Sequence, residues 1–376
     1  MAEALKTFFS PALVQRLAAE IERAEPSFPA RAFVRQATTG LDLLELVDRG
    51  KHIAAALAAH LPKEYPQAVD VLLRSLGPKH ASDELLGGGM APFFYLPHTL
   101  FVAENGLDHF DLSLRAQYEL TQRFTAEGSI RAFIAKDPER TFRQLLVWSA
   151  DREPHVRRLV SEGTRLRLPW ASRVPWLDAN PTRVLELLER LKDDPASVVR
   201  RSVANNLNDL SKIYPELSVG TCRRWWNQGS DERRALVRHA LRSLVKKGHR
   251  GALEVLGVGA RPRVDVGALQ LSTESLQIGE ALRFSFSVTS TAARAQTLSV
   301  DYVVHFVKAN GLPRPKVFKL KRLVLAARAS VELASKVSFV PMTTRRHYPG
   351  RHRLEALVNG VEYPLGEFDV HAAARR

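Results

Sequence analysis

The sequence predicts a mainly α-helical chain, a solenoid of helical repeats, followed by a smaller β-sandwich. Three observations carry this reading. Helix-entry signals recur through the first two-thirds of the chain, each an acid or asparagine next to a proline and followed by an apolar pattern of helical period. The triplets Val156-Arg157-Arg158, Val199-Arg200-Arg201 and Val237-Arg238-His239 return about forty residues apart, the period of HEAT-type helix pairs. Beyond Arg261-Pro262-Arg263 the apolar period falls from that of a helix to that of a strand. At 376 residues the chain exceeds one ordinary domain, and the switch places the boundary between 1–262 and 263–376.

Taken in order, Ser10-Pro11 opens a helix through Leu13, Leu17 and Ile21, with serine as cap and proline in the first turn. Leu41 to Leu61 and Tyr65 to Leu76 read as further helical runs, and Gly87-Gly88-Gly89 as a loop. The aromatic stretch from Phe93-Phe94-Tyr95 to Phe101 reads as packing between helices, with base stacking as the competing role. Asp111, Ser129, Asp137-Pro138, Glu153-Pro154, Asn180-Pro181, Asp194-Pro195 and Ser230-Asp231 start the following helices. Stacked helix pairs would line an inner surface with the arginines that follow each valine, unless those arginines pair with acids of neighbouring repeats.

In the last third, Leu282, Phe284, Phe286 and Val288, then Val300, Tyr302, Val304 and Phe306, alternate in and out. Val331-Leu333, Val337-Phe339, Leu354-Leu357 and Val361-Tyr363 continue the set. Turn pairs separate these runs, and Asn359-Gly360 is the strongest hairpin signal among them. About seven short strands predict a sandwich of immunoglobulin type. Basic residues Arg314, Lys316, Lys319, Lys321 and Arg322 stud one run, where the lysines can simply protect an edge. Arg345-Arg346 sits in a turn and is the better candidate for DNA contact.

The net charge of +15 and pI near 10.2 point to an anionic partner, nucleic acid before membrane. Cys222 is the one cysteine, so neither an internal disulfide nor a cysteine zinc site can form. No signal-peptide pattern or membrane-length apolar run is present, and a cytoplasmic protein is expected. The sequence carries no phosphate-binding glycine loop, dinucleotide fingerprint, zinc-protease helix or nucleophile elbow, and its histidines lack ligand spacing. What remains is carboxylate chemistry on a large anion, with no cofactor.

Two stretches carry that chemistry. On the helix from Ser197, Val199, Val203, Leu207 and Leu210 face inward, while Arg201, Asn205 and Asp209 stack on another face at i, i+4 and i+8. A cation, an amide and a carboxylate in line could hold phosphate at one end and assist a reaction at the other; the competing reading is a solvated helix face. The asparagines 205, 206 and 208 favour the former, being poor helix formers. Glu162 closes the helix from Pro154 just before Gly163, a natural C-cap, where a carboxylate opposes the helix dipole. Glu127 before Gly128 repeats the pattern. Trp170 follows Pro169 in a loop, as a plug between repeats or as an exposed stacking surface. Arg158, Arg165, Arg167 and Arg238 complete the basic set.

The segments SEGTRLRLPW and VRRSVANNLNDL, the repeat period and the trailing sandwich resemble the DNA alkylation repair glycosylases of HEAT-like fold, specifically the AlkC branch, which adds an immunoglobulin-like domain. The resemblance covers nearly the whole chain. It implies excision of N-alkylated bases (3-methyladenine, 3-methylcytosine, 1-methyladenine) from duplex DNA by a monomer, without base flipping. It implies Asp209 as the key acid, Glu162 and Glu127 as assisting carboxylates, and Trp170 against the sugar or cationic base. DNA contacts are expected at Arg158, Arg165, Arg167, Arg201, Asn205, Arg238, Arg345 and Arg346. Two other readings stay open: a non-catalytic helical-repeat DNA-binding scaffold, and an RNA-binding adaptor. A scaffold would tolerate Asp209→Asn; an adaptor would bind single-stranded RNA at least as well as damaged duplex.

Overall fold

The computed structural model describes residues 5–79, 91–258, 261–341 and 346–372. The expected loop at Gly87-Gly88-Gly89 lies outside them, as does Arg345. Helices come first: α1 (Pro11–Ala24), α2 (Ala30–Thr38), α3 (Leu46–His60), α4 (Tyr65–Arg74), α5 (Leu96–Asn105), α6 (Phe110–Thr121), α7 (Ile130–Lys136), α8 (Pro138–Trp148), α9 (Pro154–Gly163), α10 (Pro175–Ala179), α11 (Pro181–Leu191), α12 (Ser197–Ser211), α13 (Pro215–Trp226), α14 (Asp231–Ala240), α15 (Arg242–Lys246) and α16 (Arg250–Val255). Strands follow: β1 (Val264–Val266), β2 (Gln270–Leu271), β3 (Ser275–Gln277), β4 (Ala281–Ser290), β5 (Gln296–Val307), β6 (Pro313–Leu325), β7 (Ser330–Ser338), β8 (Gly350–Val358) and β9 (Val361–His371). The fold class is the expected one, a helical solenoid and then a β-sandwich.

Local chemistry explains most helix starts. The Ser10 hydroxyl accepts from the Leu13 amide at 3.3 Å, and the Asp137 carboxylate accepts from Arg140 at 3.0 Å; proline follows each in the first turn. The run from Leu41 to Leu61 is not one helix. A short 3-10 turn at Leu41–Leu43 precedes α3, because the buried Arg49 guanidinium collects the carbonyls of Phe9, Asp42 and Leu44 at 2.9 to 3.0 Å. Gly163 is not a left-handed cap either. It ends α9 in helical conformation, and a Cβ there would lie 2.4 Å from Cγ2 of Ile130. The glycine lets the end of α9 approach α7 closely.

The repeat is physical. Val156, Val199 and Val237 are fully buried, and α9, α12 and α14 pack side by side. The arginine after the first two valines does the same work each time. Arg157 donates to the carbonyls of Asp151 and Arg152, and Arg200 to those of Asp194 and Pro195. Arg157 also grips Asp194 through two nitrogens, at 2.5 and 2.8 Å. Both arginines therefore tie down helix entries and do not form the inner basic stripe; Arg157, paired with Asp194 of the next repeat, follows the alternative reading, whereas Arg200 bonds to carbonyls.

The strands form two sheets. In one, β4 pairs with β1, β2 and β7; the other runs β3-β9-β8-β5-β6. Leu282, Phe284, Phe286 and Val288 of β4 meet Val300, Tyr302, Val304 and Phe306 of β5 in the core. Asn359 and Gly360 turn β8 into β9 with φ of 47° and 78°, the conformation that makes this pair favourable. Nine strands are present among the described residues, against about seven expected.

Compactness divides the chain into Met1–Tyr214 with Gln228–Ala240, and Pro215–Asn227 with Leu241–Arg376. Thus α13, α15 and α16 belong with the strands, whereas the switch of apolar period falls later, at 262/263. Within that second body, Arg322 donates to the Leu256 carbonyl at 2.7 Å. Gly248, at φ 69°, meets the hairpin turn so closely that a Cβ on Gly360 would come 2.2 Å from the Gly248 Cα. Leu354 to Val358 of β8 are buried on both faces, where plain alternation predicts one: this cover reaches the turn end of the strand, and Glu355 pairs with His305 at 2.9 Å and Arg353 at 3.0 Å.

Candidate active site

The first body brings the three carboxylates together through arginines. Arg165 lies just past α9 and donates from Nη1 to Glu162 at 2.9 Å and from Nε to Asp209 of α12 at 2.8 Å. Glu162 and Asp209 are buried, and Arg165 is nearly so. Burial opposes the guanidinium charge, but the two carboxylates outweigh it and hold its pKa above the ordinary value. The other Asp209 oxygen, Oδ1, meets Lys212 Nζ at 2.8 Å. Glu127 pairs with Arg158 at 3.0 Å and accepts from Thr125 at 2.6 Å. Arg158 and Glu162 stand four residues apart on α9, one above the other. The order is therefore Glu127, Arg158, Glu162, Arg165, Asp209, alternating in charge.

Sequence reasoning missed the residue that shapes this array. Arg131 of α7 is buried, and its guanidinium donates to the carbonyls of Gly163 (3.0 Å), Arg165 (2.7 Å) and Ser172 (3.0 and 3.1 Å). Both ends of the loop that carries Trp170 thus meet at one cation. Burial brings its pKa down to about 10, with Asp178 opposing, so it stays charged at neutral pH. The signal was faint: one arginine flanked by the apolar residues Ile130, Phe133 and Ile134 on a seven-residue helix. Asn206 was read only as part of an unusual asparagine run. It is fully buried and donates to the Ser161 carbonyl at 2.7 Å and to Thr164 at 3.1 Å, joining α12 to the end of α9.

Trp170 projects from this loop, 69 % exposed, with its ring edge-on to Phe93 at 6.5 Å. Of the two roles left open it takes the exposed one. Its φ of 59° is rare for a bulky residue and persists only where surrounding contacts impose it. Here those contacts are the Arg131 bonds on either side.

The basic residues separate into two groups. Arg158, Arg165 and Arg167 were assigned to DNA, but their guanidiniums are taken up by Glu127, by Glu162 with Asp209, and by Asp178 at 2.8 Å. Unpaired, these partly and fully buried carboxylates would cost several kcal/mol (~3–5 for a buried pair that loses one partner), so the arginines serve the protein first. Arg201 and Arg238 are exposed on α12 and α14. Asn205, between them, accepts from or donates to His239 at 3.0 Å. Arg346 is exposed before β8, in the second body. Among the described residues, no three His, Cys, Asp or Glu side chains are arranged to hold a metal ion, and no helix is long and apolar enough to cross a membrane.

Residues 265–372 match the family described as "Uncharacterised protein YhaZ, C-terminal Ig-like domain". The chain is 34 % identical over 374 residues to a Bacillus subtilis protein, "Uncharacterized protein YhaZ", covering 97 % of this chain and 99 % of that one. It is also similar to the solved structure of the alkylpurine DNA glycosylase AlkC of Pseudomonas fluorescens, bound to DNA containing an abasic site analog. That match has a TM-score of 0.89 and 37 % identity, and covers 98 % of this chain and all of the other. Full-length likeness at this identity, together with the sandwich that trails the solenoid, places the chain in the AlkC branch of the DNA alkylation repair glycosylase family.

Proposed function

We propose that this protein is a DNA glycosylase that hydrolyses the N-glycosidic bond of N-alkylated bases in duplex DNA, with 3-methyladenine, 3-methylcytosine and 1-methyladenine as substrates. The observation that carries the reading is Asp209, a buried carboxylate fixed by Arg165 beside a second carboxylate, in a chain similar over its full length to an alkylpurine DNA glycosylase.

An N-alkylated base already bears positive charge. When the bond from C1′ of the sugar to the base nitrogen breaks, the electron pair returns to the base and neutralises it, so no acid is needed. Positive charge then grows on the sugar, as in other glycosidic hydrolyses. Asp209, held in place before the reaction, faces that charge without reorganising and orients the attacking water, whose proton a carboxylate accepts. Glu162 shares the Arg165 guanidinium and keeps it from drifting. Glu127 lies next along the array, toward the sugar or water. The exposed face of Trp170 suits a sugar or cationic base presented at the surface without extrusion into a deep pocket. Arg201, Arg238, Arg345 and Arg346 are assigned to the backbone. The enzyme acts as a monomer and needs no cofactor.

The test is release of base from methylated duplex DNA by wild type and Asp209→Asn, alongside binding to abasic-analog DNA. Loss of about 10²–10³-fold in rate with binding retained is expected. A wild type that frees no methylated base overturns the reading. One observation favours the scaffold alternative: both Asp209 oxygens are already ion-paired, as in a purely structural array. A wild type that binds abasic-analog duplex but frees no methylated base, with binding unchanged in Asp209→Asn, would establish it.

A further inference from the structure

The stripe read from the sequence as cation, amide and carboxylate does not stop at Asp209. Three residues on, just past the end of α12, comes Lys212, whose ammonium sits 2.8 Å from Oδ1 of Asp209. The two cations on that carboxylate differ in kind. Arg165 is buried, is held by Glu162 as well, and gives Asp209 its Nε. Lys212 has 43 % of its side chain exposed and no second carboxylate in its bonding. A lysine ammonium is a compact charge on a flexible stem, and with 43 % of its side chain exposed Lys212 is the more loosely held of the two cations. Asp209 cannot meet a cation growing on a sugar while both oxygens face protein cations. One must leave, and only Lys212 is free to. At the far end of the same face, Arg201 is exposed. Eleven residues separate the two cations, about 16 Å along the helix, so a DNA strand laid along this face meets one on each side of the carboxylate.

We infer that Lys212 is a phosphate-binding residue of the substrate site: a backbone phosphate beside the lesion takes its ammonium from Asp209 and so frees Oδ1 for the reacting sugar. This rests on the glycosylase reading for the fate of Oδ1, but not for the phosphate contact. The exchange makes and breaks no covalent bond; one ion pair replaces another. It also ties readiness of the carboxylate to the presence of DNA.

The test compares wild type, Lys212→Gln and Lys212→Arg in two measurements. The first is binding to abasic-analog duplex as salt rises from 50 to 200 mM. Each phosphate contact steepens the logarithmic slope by about 0.9, so wild type should lose about 3.5-fold more affinity over that range than the glutamine variant. The arginine variant should keep the wild-type slope. The second is base release from methylated duplex, where the loss in the glutamine variant should fall on the half-saturating DNA concentration more than on the rate at saturation. An unchanged salt slope in Lys212→Gln, with melting temperatures matched, overturns the inference, as does a loss confined to the saturated rate, which would mean that Lys212 stays on Asp209 throughout. Absence of base release by wild type would refute the glycosylase reading and leave the salt slopes to decide the phosphate contact alone.

Discussion

Replacing Arg165 with methionine keeps much of its length and removes its charge. Glu162 and Asp209, with side chains 6 % and 3 % exposed, then lose the guanidinium they share. Asp209 keeps Lys212, while Glu162 loses the one ion pair that its side chain makes among the described residues. Stripping one partner from a buried pair costs about 3–5 kcal/mol, since the remaining charge stays out of water uncompensated. For a body of roughly 150–250 residues each kcal/mol moves the melting temperature by about 2–4 °C, so a fall of about 6–20 °C is expected by circular dichroism. The control is the double variant Glu162→Gln/Arg165→Met. Neutralising the stranded carboxylate should restore part of the stability, so the double variant should melt above Arg165→Met. If Arg165→Met melts within about 2 °C of wild type, or the double variant melts lower still, the array is not what holds α9 against α12.

Two further outcomes follow from buried and exposed rings. Burial pulls the pKa of His98 down to about 3, from an ordinary value of 6.5. The unfolded chain then binds a proton that the folded one refuses, so this stability is fully present above pH 6.5 and is lost as pH falls toward 3, at about 1.4 kcal/mol per unit. His98→Leu should flatten the acid limb of a denaturation series between those values, and an unchanged limb would refute the assignment. Trp170→Ala removes a ring that is 69 % exposed, so the melting temperature should stay within about 2 °C of wild type while base release falls at least tenfold; equal activity would dismiss the indole from the site.

Much of the architecture was legible because it obeys local rules. Proline after an acid or asparagine marks helix entries, alternation marks β4 and β5, and Asn359-Gly360 marks a hairpin. The buried valines of the Val-Arg pattern gave the repeat, but not what the arginines touch. Arg165 meets Asp209 across 44 residues of chain, and no spacing rule reports such a pair. A cation in a basic sequence looks like a DNA contact until the buried acid beside it is seen. Arg131 was illegible for the same reason, since its partners are carbonyls of a distant loop. Gly163 was read by its position at a helix end, whereas its use depends on Ile130, a neighbour only in space. The burial of both faces of β8 could not be read from β8 itself, because the turn at Gly248 and the partner His305 lie elsewhere in the chain.

The meeting of Gly248 with Gly360 bears on how this sandwich could be inherited or transplanted. Two turns from distant parts of the chain, each with glycine in a left-handed conformation, leave no room for a side chain on the turn opposite. A recombination event that joined the strands to a new partner at residue 263 would leave half of that joint behind and bare the turn end of β8. Only an exchange made ahead of Leu241 would carry the lock together with its key.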